Sequence, residues 1–251
     1  MDDWSTSHDR VLAQRNAEGW TFLIEAARDL RTTGALAPSG KALARLLTDP
    51  VQERGAHPLN VLEAGAGTGS VTRTLLSRLS AGSRADIVEA NSRFASQLRD
   101  LVRTHPRPAG GGARVRVHHA FVEDLDTGRP YDVIVSGLPF TNFAPAQVEK
   151  IMSRYMELLH PGGTLTYFAY RGTRHARFLT ASRAEVRRHR AAEEVLAEYQ
   201  RRYATHCWTV WGNLPPARVW RLRRPLTSSA PAAPDVAARS ARPARPAGSA
   251  R

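Results

Sequence analysis

The sequence has little cysteine, little lysine and no long apolar run. Its single cysteine, Cys207, excludes an internal disulfide bond and favours a reducing compartment. No apolar run approaches the roughly 20 residues that a membrane-spanning helix needs, and the opening residues MDDWSTSHDR are too polar for a secretory signal. With one cysteine and histidines that lack ligand spacing, no metal site is expected. These absences predict a soluble, cytoplasmic chain.

The positive charge of the chain is almost all arginine. Thirty-six basic residues stand against 23 acidic ones, which makes the formal net charge +13, and only Lys41 and Lys150 are lysines. Such an excess favours an anionic partner, and membrane headgroups and nucleic acid both qualify. The alternative is that the charge only keeps the protein soluble and does not bind a partner. Part of the excess lies in residues 183–202, whose pattern predicts a solvated helix with internal ion pairs.

The alternation of apolar runs and helical patterns predicts one α/β domain. A chain of 251 residues with 42% hydrophobic content is long enough for one such domain with additions. Between residues 59 and 224 the pattern is that of a doubly wound, mostly parallel sheet with an antiparallel hairpin at its C-terminal end. The seven expected strands are residues 59–63, 85–89, 114–119, 131–136, 164–170, 203–211 and 217–223.

Three glycines at alternate positions follow the first expected strand. Residues 61–69 read VLEAGAGTG, so Gly65, Gly67 and Gly69 lie where a strand turns into a helix. Glycine allows such a tight turn and lets a ligand approach the backbone. The segment therefore predicts a nucleotide-binding turn, with an ordinary glycine-rich loop as the alternative.

The charges around this turn indicate which ligand it binds. Glu63, two residues before Gly65, would repel the pyrophosphate of a dinucleotide but suits a cation. Glu89 ends the next expected strand, where a carboxylate can bind two ribose hydroxyls. S-adenosylmethionine carries an ammonium and a sulfonium and no phosphate. The spacing of Glu63 and the three glycines resembles the first motif of class I methyltransferases, which use this cofactor.

The segment expected to bind the adenine of the cofactor differs from the usual class I sequence. Class I enzymes commonly have an acid after the third strand, and here that position reads His119-Ala120-Phe121. One alternative is that Glu123 or Asp124 contacts the adenine amino group. The other is that the backbone near Phe121 makes this contact while the Phe121 ring packs on the base. The full set expected to bind the cofactor is Glu63, Gly65, Ala66, Gly67, Thr68, Gly69, Glu89, Ala90, Asn91, Ala120, Phe121 and Ser136.

A second motif follows the fourth expected strand, at the edge where open α/β sheets bind ligands. Amino-group methyltransferases have an Asn/Asp/Ser-x-Pro-aromatic motif here, and residues 137–140, Gly-Leu-Pro-Phe, have that shape. Backbone carbonyls held by the proline can accept hydrogen bonds from an amine, so Leu138, Pro139 and Phe140 are the expected catalytic residues. The adenine-methylating form has asparagine where Gly137 stands. A loop with a structural proline is the alternative.

Several motifs occur together in the order of one known family. They are Thr32-Thr33-Gly34-Ala35, PSGKALA at 38–44, the glycine turn, Glu89-Ala90-Asn91, and Ser136-Gly137-Leu138-Pro139 with Asn142-Phe143. Together they resemble the bacterial phospholipid N-methyltransferases, which are similar to the ribosomal RNA adenine dimethyltransferases and convert phosphatidylethanolamine stepwise towards phosphatidylcholine. The resemblance implies a Rossmann-like class I fold, S-adenosylmethionine as cofactor, and a phospholipid headgroup as acceptor at an anionic membrane surface.

Helical patterns, glycine and proline breaks and composition divide the chain into three parts. We predict a helical cap in residues 1–50, an S-adenosylmethionine-binding methyltransferase domain in residues 51–224, and a disordered basic tail rich in proline, alanine and arginine in residues 225–251. The resemblance implies that an apolar cluster in the cap contacts the inner face of the membrane. The alternative is that this cluster is part of the protein core. The cluster consists of Trp20, Phe22, Leu23 and Ile24.

Other functions fit parts of the same pattern. An RNA adenine N6-methyltransferase agrees with the net charge and with the fold, but Gly137 stands in place of its asparagine and no RNA-binding domain follows the sheet. An N-methyltransferase for a peptide or specialised-metabolite amine could use the same core with a different cap. The remaining alternative is a protein that binds the cofactor without turnover.

Overall fold

The computed structural model describes four ranges of the chain, residues 38–106, 112–170, 183–212 and 216–226. The expected apolar cluster of Trp20, Phe22, Leu23 and Ile24 lies outside these ranges, as does the tail from residue 227 onward. The division into cap, central domain and tail therefore stays a prediction.

The described residues form seven strands, five α-helices and two short 3-10 helices. The strands are β1 (Asn60–Ala64), β2 (Arg84–Glu89), β3 (Arg114–His119), β4 (Tyr131–Ser136), β5 (Leu159–Tyr170), β6 (Ala204–Val210) and β7 (Ala217–Arg223). The α-helices are α1 (Pro38–Glu53), α2 (Ser70–Leu76), α3 (Ser92–Thr104), α4 (Pro145–Leu158) and α5 (Arg183–Tyr203). The 3-10 helices are Val122–Asp124 and Phe140–Asn142. All seven expected strands and the arginine-rich helix are present.

The seven strands form one mixed sheet in the order β3-β2-β1-β4-β5-β7-β6. Strands β1 to β5 pair in parallel, whereas β7 pairs antiparallel with both β5 and β6. This arrangement confirms the predicted Rossmann-like sheet with an antiparallel C-terminal hairpin. Because β1 to β4 are parallel, their carboxyl ends meet at one edge of the sheet, and both predicted motifs begin there.

Helices cover both faces of the sheet, so the central strands are buried on each side and are almost continuously apolar. Helices α1, α2 and α3 pack on one face, where Leu47, Leu75 and Leu98 are buried. Helices α4 and α5 pack on the other face and bury Ile151 and Leu196. Within the described ranges, no helix is long and apolar enough to cross a membrane.

A buried polar cluster joins β2, β3 and β4 below the carboxyl edge. The Asp86 carboxylate lies 2.6 Å from His118 Nε2 and accepts a 3.0 Å hydrogen bond from the Tyr131 hydroxyl. Burial opposes the charge of Asp86, but the hydrogen bonds from His118 and Tyr131 outweigh it and hold the pKa of this carboxyl below its ordinary value. The Asp86 carboxylate is therefore ionised at neutral pH, and both of its oxygens have hydrogen-bond partners.

Removing one donor from this cluster should destabilise the fold. We expect Tyr131→Phe to lower the free energy of unfolding at pH 7 by about 1–3 kcal/mol, because a buried carboxylate loses a hydrogen bond. Since the folded pKa of Asp86 is depressed, its contribution is present above the unfolded pKa and is lost as the pH falls through the folded value. Urea unfolding of the wild type and the variant at pH 7 and pH 3 measures the free energy of unfolding. If the wild type is more stable than the variant by the same amount at both pH values, the hydrogen bond from Tyr131 to an ionised Asp86 is contradicted.

Candidate cofactor and acceptor site

The glycine turn between β1 and α2 adopts backbone angles that favour glycine. Gly65, Gly67 and Gly69 have φ values of 70°, 54° and 80°, all in the left-handed region. The Gly65 N–H donates a 2.9 Å hydrogen bond to the Val88 carbonyl, which ties the turn to β2. A Cβ added at Gly67 would meet no atom within 4 Å, so space for a ligand lies directly over the turn.

Glu63, in β1, is a buried carboxylate with one unsatisfied oxygen. Only 1% of the residue is exposed, and its Oε1 accepts a 3.0 Å hydrogen bond from the Thr72 hydroxyl. Its Oε2 has no hydrogen-bond partner. Burial raises the pKa of Glu63 to about 8, although the Thr72 hydrogen bond opposes the shift. A cationic hydrogen-bond donor placed at Oε2 would satisfy this oxygen and favour the ionised carboxylate, and the ammonium of S-adenosylmethionine is such a donor.

Glu89, at the end of β2, holds the glycine turn and the β2–α3 connection together. Its Oε2 accepts a 2.7 Å hydrogen bond from Gly67 N–H, and its Oε1 accepts one of 2.8 Å from Asn91 N–H. Burial raises the pKa of Glu89, and these two backbone hydrogen bonds oppose the shift. Each carboxylate oxygen has a second lone pair, so Glu89 keeps acceptors for ribose hydroxyls.

The other residues expected at the adenosine end lie around Glu89. Asn91 caps helix α3, since its Oδ1 accepts hydrogen bonds from Arg93 N–H at 2.9 Å and Phe94 N–H at 3.2 Å. The Ala120 N–H donates to the Glu89 carbonyl at 3.3 Å, which brings the end of β3 to the same place. Phe121 follows and is partly exposed. The structure thus collects these residues at one edge, and their contacts with a cofactor stay a prediction.

The acceptor motif after β4 touches the glycine turn directly. The Gly137 N–H donates a 2.8 Å hydrogen bond to the Ala64 carbonyl. A Cβ added at Gly137 would lie 2.5 Å from the Gly65 carbonyl oxygen, and one added at Gly65 would lie 2.4 Å from Leu138 Cδ2. The contact at Gly137 is with a backbone atom and leaves no room for a side chain, whereas at Gly65 the Leu138 side chain would have to move. The two loops are therefore packed backbone to backbone.

Ser136 and Phe140, which lie two residues before and after Leu138, are buried. Phe140 is 1% exposed and packs edge to face on Tyr155 and Tyr167, with ring centroids 6.4 and 5.4 Å away. The Ser136 hydroxyl is also buried and accepts a hydrogen bond from the Tyr155 hydroxyl. Of the three expected catalytic residues, Phe140 is buried behind the motif, whereas Leu138 and Pro139 are half-buried. Leu138 is next to Gly65 of the glycine turn.

Three supporting side chains were not expected from the sequence. Thr72 and Tyr155 supply hydrogen bonds to Glu63 and Ser136, and Gln200 donates a 2.7 Å hydrogen bond to the Tyr167 hydroxyl. Burial raises the pKa of Tyr167, so this tyrosine stays protonated and is not a proton acceptor at neutral pH. Helical spacing identifies Tyr155 as a core residue of α4, but no local pattern pairs it with Ser136.

Comparisons with known proteins agree with this geometry. Residues 61–163 match a family model described as a methyltransferase domain. A segment of 107 residues is 27% identical to an uncharacterized methyltransferase of Geobacillus kaustophilus and covers 43% of this chain. The match spans 45% of that relative's length.

Solved structures of methyltransferases share the fold. The 1,6-didemethyltoxoflavin-N1-methyltransferase of Burkholderia thailandensis, solved with bound S-adenosylhomocysteine, superimposes with a TM-score of 0.60 at 19% identity, over 85% of this chain and 90% of its own. An O-methyltransferase of Bacillus cereus superimposes with a TM-score of 0.55 at 18% identity, over 81% and 88%. The fold therefore serves both nitrogen and oxygen acceptors.

The described residues have the class I, Rossmann-like fold, and residues 61–163 are similar to a methyltransferase domain, which supports S-adenosylmethionine as the cofactor. The residues present fit that cofactor. The unsatisfied Glu63 Oε2 suits its ammonium, Glu89 suits its ribose, and the open space over Gly67 leaves room for it. Among the described residues, no cluster of histidine, cysteine and carboxylate side chains could hold a metal ion.

A conservative change at Glu89 should weaken cofactor binding. In Glu89→Gln one acceptor oxygen becomes an NH₂ group that faces the Gly67 or Asn91 N–H, so we expect the Kd for S-adenosylhomocysteine to rise at least about tenfold. Isothermal titration calorimetry measures this Kd. The matched control is Glu53→Gln, which removes a carboxylate paired with Arg221 outside the site. A folded Glu89 variant with unchanged Kd would rule out the ribose role.

Proposed function

We propose that this chain is an S-adenosylmethionine-dependent N-methyltransferase whose acceptor is the amine of phosphatidylethanolamine-type phospholipids at an anionic membrane surface. The observation that carries the proposal is the packing of Gly137 on Gly65, with 2.5 Å between a Cβ at Gly137 and the Gly65 carbonyl oxygen. Through this packing, residues 136–140, which we take as the acceptor loop, lie against the glycine turn, and position 137 has no room for a side chain. The resemblance of Ser136-Gly137-Leu138-Pro139 to the phospholipid enzymes supports the lipid.

The chemistry of the acceptor loop favours an alkyl amine over a nucleobase amine. An amino group on an aromatic base needs a precise side-chain acceptor, which asparagine supplies in the adenine-methylating motif. Here that position is Gly137, which has no space for asparagine in this conformation. A small primary amine needs only backbone carbonyls and an apolar neighbour such as Leu138. The net charge of +13 supports attraction to anionic headgroups.

The chain contributes position and exclusion of water rather than a base. When bound, S-adenosylmethionine supplies a methyl group that its sulfonium already activates. In this proposal Glu63 and Glu89 bind the two ends of the cofactor, and Leu138, which faces Gly65, lines the place where the acceptor meets it. Fixing both reactants in contact removes much of the entropic barrier. An alkylamine has an ordinary pKa of about 10.4, and the apolar surroundings of Leu138 and Phe140 favour its neutral, nucleophilic form. The proton that the ammonium loses passes to solvent before the nitrogen attacks.

The direct test is transfer of radiolabelled methyl groups from S-adenosylmethionine to vesicles of phosphatidylglycerol with phosphatidylethanolamine. Ribosomal RNA and a pool of soluble amines are assayed in parallel. We expect label in the lipid, lost in Glu89→Gln and kept in the surface variant Glu53→Gln. Vesicles of phosphatidylglycerol alone should take up no label, because they lack the amine.

The other outcomes of this assay point to other functions. Label in RNA but not in lipid would replace the proposal with the adenine alternative, despite Gly137. Label only in the soluble pool would indicate a peptide or metabolite amine. Cofactor binding without label in any sample would favour a binding protein without turnover.

A further inference from the structure

The hydroxyl of Tyr155 is connected to the acceptor loop through Ser136. Tyr155 lies in α4 and is fully buried, and its hydroxyl donates a 3.0 Å hydrogen bond to Ser136 Oγ. The same Ser136 Oγ accepts a 3.4 Å hydrogen bond from the Leu138 N–H, at the first turn of the loop. One serine oxygen thus links a core helix to the residue that packs on Gly65.

The ring of Tyr155 contacts the other end of the same loop. Its centroid lies 6.4 Å from that of Phe140 at an interplanar angle of 87°, an edge-to-face arrangement. The Phe140 N–H in turn donates a 3.0 Å hydrogen bond to the Leu138 carbonyl, which closes the loop. Tyr155 therefore holds the loop before and after Leu138, while Leu138 Cδ2 and Cγ face Gly65.

We propose that Tyr155 is a positioning residue, which keeps Leu138 and the acceptor loop in register with the cofactor turn through the Ser136 hydroxyl. The inference rests on the proposed function only in taking residues 136–140 as the acceptor side. Tyr155 does not move a proton in this role, because burial raises its pKa and keeps the hydroxyl a donor. Its effect reaches the reaction only through the loop.

The kinetic test is Tyr155→Phe, which removes the hydroxyl and keeps the ring contact with Phe140. We expect kcat on the labelled acceptor to fall about tenfold, with the Kd for S-adenosylhomocysteine within twofold of wild type. Tyr131→Phe is the matched control, because it removes another buried tyrosine hydroxyl on the same face of the sheet, bonded to Asp86. It should lower stability and leave kcat unchanged. A Tyr155 variant that loses only stability would overturn the proposal.

A second measurement does not depend on the acceptor. Hydrogen–deuterium exchange of residues 136–143 should be at least about tenfold faster in Tyr155→Phe, with no change in residues 63–69. Ser136→Ala should give at least the same acceleration, because it removes the hydrogen bonds from both the Tyr155 hydroxyl and the Leu138 N–H. Adding Tyr155→Phe to Ser136→Ala should then change the exchange rate less than twofold, because the hydrogen bond that it removes is already absent. Unchanged exchange, or fully additive effects, would overturn the positioning role. If wild type labels no acceptor, the proposed function fails, and the exchange data still decide this inference.

Discussion

Replacing Gly137 with alanine is expected to reduce methyl transfer at least about a hundredfold, the loss that a displacement of about 1 Å in an active site can cause. The new Cβ would lie 2.5 Å from the Gly65 carbonyl oxygen, closer than real Cβ contacts. The opposing atom belongs to the backbone of the glycine turn and cannot rotate away, so the two loops must separate. Radiolabelled methyl transfer and binding of S-adenosylhomocysteine measure the two consequences.

The matched control for this variant is Gly163→Ala. A Cβ at Gly163 would lie 2.8 Å from the His160 carbonyl oxygen and 3.0 Å from the Tyr131 carbonyl oxygen, so it meets similar backbone crowding. Gly163 lies near the amino end of β4, away from both motifs. The control should lose stability but keep its activity per folded molecule. Wild-type activity in a folded Gly137 variant would disprove the close packing of the loops as a requirement for transfer.

Replacing Glu63 with glutamine should stabilise the cofactor-free protein at alkaline pH and weaken cofactor binding. The folded pKa of Glu63 is about 8 and its ordinary value is 4.5. Between these values the folded protein holds a proton that the unfolded chain has released, so its stability falls as the pH rises through this window. The loss is up to about 1.4 kcal/mol for each pH unit. Glutamine does not ionise, so the variant should lack this slope.

Two measurements separate the consequences of Glu63→Gln. Denaturant unfolding at pH 6 and pH 8 should show the advantage of the variant increasing with pH. Calorimetry at pH 8 should show a Kd for S-adenosylmethionine raised about tenfold or more, because a charged hydrogen bond to the ammonium is lost. Glu53→Gln serves as the exposed carboxylate control. If Glu63→Gln changes the pH dependence of stability but not the Kd for S-adenosylmethionine, then Glu63 does not bind the cofactor.

The sequence alone predicted the sheet closely, because strand patterns are local. Strands β3, β4 and β7 begin and end at the expected residues, where apolar and β-branched side chains recur. Strand β5 differs, since it begins at Leu159 instead of residue 164. The intervening Pro161-Gly162-Gly163 reads locally as a turn, but Leu159 pairs with Tyr131 across a register shift. Pairing with a distant strand overrode the local signal.

The turn after β1 and the motif after β4 can be recognised without a structure, since glycine spacing, a preceding acid and a proline are properties of short segments. Three contacts could not be predicted in this way: Gly65 with Gly137, the buried Glu63 with one unsatisfied oxygen, and the hydrogen bond from Tyr155 to Ser136. These contacts join residues far apart in the chain, and they exist because crossover connections place β4 beside β1 and α4 beneath the loop.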